Sequence, residues 1–193
     1  MKRILFLSCS QVALLLLCAG GLLSCASPVK LTRSWAQPEI PAGRLSNILV
    51  VSFARDAGRQ KLGEDHLKAE LRRHGFTAVT SLEVFGPEFA NADSLKRWRL
   101  LLSRHFDGML TIRVLKVEEN EHWEKGSVLL QQPGYSVSLV DVVLESDLYQ
   151  VDKGTLLWWG RSDSFTNDPT DEMASQYARN IVGDLLRKKV LRN

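Results

Sequence analysis

The segment that most restricts the fold runs from Tyr135 to Phe165. Apolar and polar residues alternate from Tyr135 to Val151, with Val140, Val142, Leu144 and Leu148 on one side and Asp141, Val143, Glu145, Asp147 and Tyr149 on the other. A period of two is the spacing of a strand, whose side chains point to opposite faces in turn. Asp152-Lys153-Gly154 is a turn signal, and Thr155 to Phe165 returns as a second strand through Leu156, Leu157, Trp158 and Trp159. Two long paired strands need a third and a cover. The chain is therefore expected to build a sheet with helices packed on it.

The rest of the chain supplies both. Asn47 to Phe53 is a continuous apolar run, the mark of a strand buried on both faces. Gly58 to His74 reads as a helix with Leu62, Leu67 and Leu71 inward, closed by Gly75. Phe76 to Ser81 is a short strand. Asp93 or Ser94 caps a second helix whose inner face is Leu95, Trp98, Leu101, Leu102 and Phe106. Met109 to about Val117 is a third strand. Near the end, Met173, Tyr177, Ile181 and Leu185 recur every four residues beside Ala174, Ala178, Val182 and Leu186, one broad apolar stripe. Asp171 at its start and Arg187-Lys188-Lys189 at its end suit the helix dipole. The expected order is β-α-β-α-β-β-β-α. This is an α/β (α+β) fold, one domain over residues 45–193 with a mixed sheet.

The first residues carry different information. Met1-Lys2-Arg3 is basic, Ile4 to Leu23 is apolar, and Leu22-Leu23-Ser24-Cys25 closes the run. This layout resembles the signal peptide and lipobox of bacterial lipoproteins. The resemblance implies that residues 1–24 are removed, that the Cys25 thiol takes a diacylglyceryl group, and that the new amine is acylated, with palmitate among the chains. A retained anchor and an ordinary cleaved signal are the competing readings. Ser8, Ser10, Gln11 and Gly20-Gly21 interrupt the run, however, and no basic cluster follows Cys25. Ala26 after the cysteine implies the outer membrane, facing the periplasm, rather than retention at the inner one. Residues 25–44, with Pro28, Pro38, Pro41 and Gly43, read as a lipidated N-terminus and linker, able to stand the domain off by up to about 50 Å. Trp35 either pins that linker to the domain or sits at the lipid interface.

Composition narrows the function classes. Cys9 and Cys18 lie in the removed segment, so no disulfide framework and no thiol nucleophile remains. Losing Lys2 and Arg3 lowers the net charge from +3 to about +1, which offers no basic field for nucleic acid. His66, His74, His105 and His122 show no metal-ligand spacing, so neither a metal nor a cofactor is expected. Asp141, Glu145 and Asp147 share a strand face. They read as a solvated face paired with Arg161 or Arg113, or as the carboxylates of a hydrolase. Trp158-Trp159 puts one indole on each side of its strand, one for the core and one for a partner or a covering helix. Glu118 to Pro133 is read as a long loop between strands. It is either a mobile hairpin tip or a binding loop presenting Trp123, with Tyr135 just beyond.

Two stretches carry a further resemblance. They are Asn47-Ile48-Leu49-Val50-Val51 with the helix end Leu71-Arg72-Arg73-His74-Gly75-Phe76 and Phe106-Asp107-Gly108-Met109-Leu110, and the hairpin from Ser146 to Arg161. Together they resemble a group of uncharacterised bacterial envelope lipoproteins. More distantly they are similar to the α/β domains of curli-assembly-type, penicillin-binding-protein-activator-type and Tol-Pal-type proteins. The resemblance implies compartment and fold, with no catalytic signature. The expectation is a non-enzymatic adaptor or assembly factor. It is held to membrane lipid through Cys25 and binds an envelope protein, with Trp123, Tyr135, Trp158 and Trp159 as candidate contacts. An envelope hydrolase acting on cell-wall or glycan material, or a small-ligand or lipid carrier, is the alternative.

Overall fold

The computed structural model describes residues 29–39, 45–124, 134–166 and 170–192. Residues 1–28, with Cys25, lie outside that set. Among the described residues the elements run β1 (Val29–Ala36), β2 (Asn47–Ser52), α1 (Ala57–Arg73), β3 (Thr77–Thr80), α2 (Ser81–Phe85), α3 (Glu88–Asn91), α4 (Ser94–Ser103), β4 (Gly108–Glu124), β5 (Tyr135–Gln150), β6 (Thr155–Thr166) and α5 (Asp171–Arg187).

Local chemistry sets where the helices start and stop. The Asp56 carboxylate accepts the Arg59 amide at 2.8 Å and opens α1. Gly75, at φ +83°, closes it. The Gly75 amide donates to the Arg72 carbonyl at 2.9 Å and the Phe76 amide to the Leu71 carbonyl at 3.1 Å, the paired bonds of a Schellman motif. Asp93 caps α4 through the Lys96 amide, and Thr170 caps α5 through the Met173 amide.

The strands form one sheet in the order β1-β6-β5-β4-β2-β3. β2 pairs in parallel with both β3 and β4, and the other neighbours are antiparallel. The chain is thus a single mixed α/β domain. Helices α1 and α5 pack on one face over Ile48, Val50, Leu110, Leu148 and Trp158. A second core of Leu49, Val51, Phe89, Leu101, Phe106 and Val151 joins α3 and α4 to the opposite face at the β2 end. β2 contributes to both cores, as its unbroken apolar run requires.

The structure departs from the sequence reading in five places. Residues 29–36, expected in the linker, form the edge strand β1, so at most about 14 Å of extended chain separates Cys25 from the sheet. The expected loop at 118–133 is strand as far as Glu124, and residues 125–133 lie outside the description. β4 bonds to β5 along its whole length, which outweighs the turn-forming polar residues there. Two short helices, α2 and α3, fill the stretch before α4. On α4, Leu95 and Leu102 are exposed, whereas Leu101 is buried. On α1, Leu62 is only half-buried while Gln60 and Glu64 are buried, because that helix turns a polar edge toward the ends of β2 and β3.

Candidate functional site

Register across the sheet assembles the site. On the face opposite α1 and α5, Arg33, Arg161, Glu145 and Arg113 lie in one cross-strand row, and Trp35, Trp159, Asp147 and Thr111 in the next. Directly opposed residues point to the same side and stand close enough to interact. Helix α4 covers the β2 end of this face and reaches as far as Met109, Asp147 and Tyr149. There Phe53, Trp98, Met109, Arg113, Asp147 and Tyr149 line a shallow hollow of about 200 Å³. Gly154, at φ +64° in the β5–β6 turn, allows the Trp98 indole to approach. A Cβ there would meet that ring at 3.3 Å. Beyond the hollow the outer strands carry exposed side chains, among them Arg33 and Trp35, the latter 41% exposed.

Arg113 organises the carboxylates. Its guanidinium donates to Glu145 Oε1 at 3.0 Å and to Asp147 Oδ2. The Tyr149 hydroxyl donates to the same Asp147 oxygen at 3.2 Å. Asp147 is buried while Arg113 stays half-exposed. Burial pushes the Asp147 carboxyl above the usual aspartate range. The Arg113 charge pulls it back, the Glu145 charge adds to the rise, and the net direction is up. Burial, together with the Asp147 charge, raises the Tyr149 phenol. The consequence for stability has the opposite sign to a surface ion pair. With the folded pKa raised, the native state holds its proton to higher pH than the unfolded chain, so this group's contribution declines as pH rises above about 4. Calorimetry from pH 4 to pH 7 should show wild type losing ground to Asp147→Asn. A difference that stays flat or reverses would contradict the assignment.

Glu145 and Asp147 are therefore paired through Arg113, one of the two partners the sequence allowed. The other, Arg161, sits opposite Glu145 in register, but its buried Nε has no hydrogen-bond partner among the described residues.

Of the tryptophans, Trp159 lies half-buried on this face. Trp158, a candidate contact from the sequence, is withdrawn from any partner. It is fully buried under α5, and its indole N–H donates to Asp184 at 2.9 Å. Trp123 and Tyr135 have backbone positions opposite Ser136 and Glu124 at the far end of the β4–β5 ribbon, away from the Trp35 row. Their side chains lie outside the described residues. Trp35 was the site residue hardest to see in the sequence, because only the register of β1 against β6 brings it opposite Trp159.

Elsewhere, His66 Nε2 lies 2.9 Å from Asp171 and joins α1 to the start of α5. Among the described residues no group of His, Cys, Asp and Glu is arranged to hold a metal ion, and no helix is long and apolar enough to cross a membrane.

No protein-family model and no curated protein matches the chain. Solved structures resemble its path. A PelC dodecamer from Paraburkholderia phytofirmans is 14% identical, with 86% of this chain and 99% of that one covered at a TM-score of 0.48. The lipoprotein GNA1162 from Neisseria meningitidis is 17% identical, with 74% and 99% covered at 0.46. A minor lipoprotein from Acinetobacter baumannii is 16% identical, with 76% and 89% covered at 0.23.

Proposed function

We propose that this protein is a lipid-anchored envelope lipoprotein acting as a non-catalytic adaptor, and that the partially uncovered sheet face receives another envelope protein. The observation that carries the reading is the row Trp35–Trp159, with Trp35 41% exposed, beside the exposed Arg33 and the half-buried Arg161. Tryptophan and arginine are the residue types that most often dominate protein contacts. The lipobox ending at Cys25 gives the compartment, probed by release of a Cys25→Ala protein to the soluble fraction.

Crosslinking pull-down from intact envelopes tests the face. Trp35→Ala and Arg161→Gln should each weaken capture by roughly tenfold or more while the circular dichroism is unchanged. Capture equal to wild type in both would refute the assignment of this face.

A hydrolase reading has one observation in its favour, the raised carboxyl of Asp147 beside a hollow. Against it, Arg113 already binds Glu145 and Asp147. Turnover of glycan or cell-wall substrate that is lost in Asp141→Asn or Glu145→Gln would favour the enzyme.

A further inference from the structure

From the three outer edges of the sheet we infer that the protein pairs with a second copy of itself along β4. Two strand edges are blunted. β3 has only four residues. On β1, Asn180 of α5 donates to the Val29 carbonyl at 3.0 Å and Lys188 to the Ser34 carbonyl at 2.8 Å. Such devices keep sheets from joining edge to edge. The third edge carries a bulge between Val114 and Lys116 and the charges of Lys116 and Glu118, yet it is long and has exposed apolar residues. β2 accompanies β4 only to Ile112, where the Phe53 amide donates to the Ile112 carbonyl. From Arg113 to Glu124, β4 is bonded to β5 on one side, and no described residue pairs with its other side. Exposed apolar residues collect there: Val114 at 45%, Leu115 at 43% and Val117 at 56%. Water-exposed valines and leucines on an open edge are what edge protection normally removes.

The charge order names the occupant. Antiparallel pairing of β4 with its own copy, centred on Val117, sets Val117 against Val117, Lys116 against Glu118 and Glu118 against Lys116. Lys116 and Glu118 are neighbours on one face of the strand and already form an ion pair at 2.5 Å. The twofold turns that pair into an alternating square of four charges. Opposite charges directly across strands stabilise the pairing and like charges oppose it. A twofold contact of this kind is self-complementary by construction, the form that most homodimers take. The regular register is centred on Lys116 to Glu118, with the bulge at Leu115 beyond it, and among the described residues β2 flanks β4 only as far as Ile112.

The test uses the full-length mature protein in detergent, by native mass spectrometry, and in intact envelopes, by disulfide trapping. Wild type should be dimeric. Lys116→Glu opposes like charges at both ends of the twofold and should weaken the dimer by about tenfold or more. Lys116→Glu combined with Glu118→Lys restores the alternation and should restore the dimer. Val117→Cys should crosslink to itself, since directly opposed Cα atoms lie about 4.5–5.5 Å apart. Lys30→Cys, on the protected edge, should not. Monomeric wild type, failure of the double variant to recover association, or trapping of Val117→Cys no greater than that of Lys30→Cys would overturn the proposal. None of these outcomes bears on the Trp35–Trp159 face, so the two surfaces stand or fall separately.

Discussion

Replacing Glu64 by alanine should destabilise the domain by about 4–5 kcal/mol, the exceptional end for a single substitution. Glu64 is completely buried in α1. Its Oε1 accepts the Ser52 amide at 3.0 Å, the Gln60 side-chain amide at 3.1 Å and the Ser81 hydroxyl at 2.7 Å. Its Oε2 accepts the Leu82 amide at 3.1 Å. One carboxylate thus joins α1, the end of β2 and the first turn of α2. Alanine is the better helix former, so a loss cannot come from propensity. It comes from two backbone amides and two side-chain donors left in a site closed to water. Each such group costs about 1–3 kcal/mol, partly relieved by local movement. Glu64→Gln keeps the shape and one acceptor but turns an NH₂ toward donors, so about 2 kcal/mol is expected. Urea unfolding measures both, and a Glu64→Ala loss below about 1 kcal/mol would show that the cluster is not cooperative.

The second large effect lies across the sheet at Trp158. The indole is fully buried, bonded to the equally buried Asp184, and lies over Gly160. Trp158→Ala should cost about 4–5 kcal/mol, from the cavity together with the loss of the indole donor to Asp184. Gly160 reports the same contact from below. A Cβ there would lie 2.5 Å from the indole ring and 3.1 Å from Leu31. The ring cannot swing aside without giving up Asp184, so Gly160→Ala should cost about 3 kcal/mol. Combined with Trp158→Leu, the glycine substitution should become nearly harmless, giving a coupling of about 1–3 kcal/mol. Simple additivity in chemical denaturation would mean that the clash is not the cause.

Part of the stability should also fade in acid. Arg73 holds Glu70 below the usual glutamate range through its hydrogen bonds, and Lys68 does the same for Glu83. Carboxyls with lowered folded pKa values contribute above the unfolded pKa, near 4.5, and lose that contribution as pH falls through the lower folded value. Asp147 works in the opposite sense over its own window, so the two should be separable by substitution.

Much of the architecture can be read from the linear pattern. The β5–β6 hairpin, the doubly buried β2, the α1 stop at Gly75 and the stripe of α5 each rest on periodicity or local capping, which neighbours in sequence decide. The expected mixed sheet with packed helices follows from them. What the pattern could not provide was pairing. β1 hides in a proline-flanked stretch because Lys30, Thr32, Arg33 and Ser34 interrupt its apolar residues, and its partner β6 lies far along the chain. The extension of β4 through Glu118–Glu124 is hidden in the same way, since polar residues there are carried by hydrogen bonding to β5. Bulges between Leu31 and Arg33, and between Val114 and Lys116, shift register, and a shift of one residue exchanges the faces.

The site shows the same division. The sequence supplied the acidic face, Arg113 as one partner, and the rule that adjacent tryptophans on a strand point opposite ways. Which tryptophan is withdrawn was settled by α5, which packs on one face and buries Trp158 over Gly160. That left Trp159 beside Trp35 on the other. Glu64 is the sharpest instance. In sequence it is one more charged residue on an amphipathic helix, and only the meeting of α1 with the ends of β2 and β3 turns it into a buried acceptor. The sequence by itself determined the central strand, the β5–β6 hairpin and the long helices, because these depend on residues a few positions apart. The tertiary structure decided register, the covered face and the β4 edge left open among the described residues, because these depend on long-range hydrogen bonds and burial that no local pattern encodes.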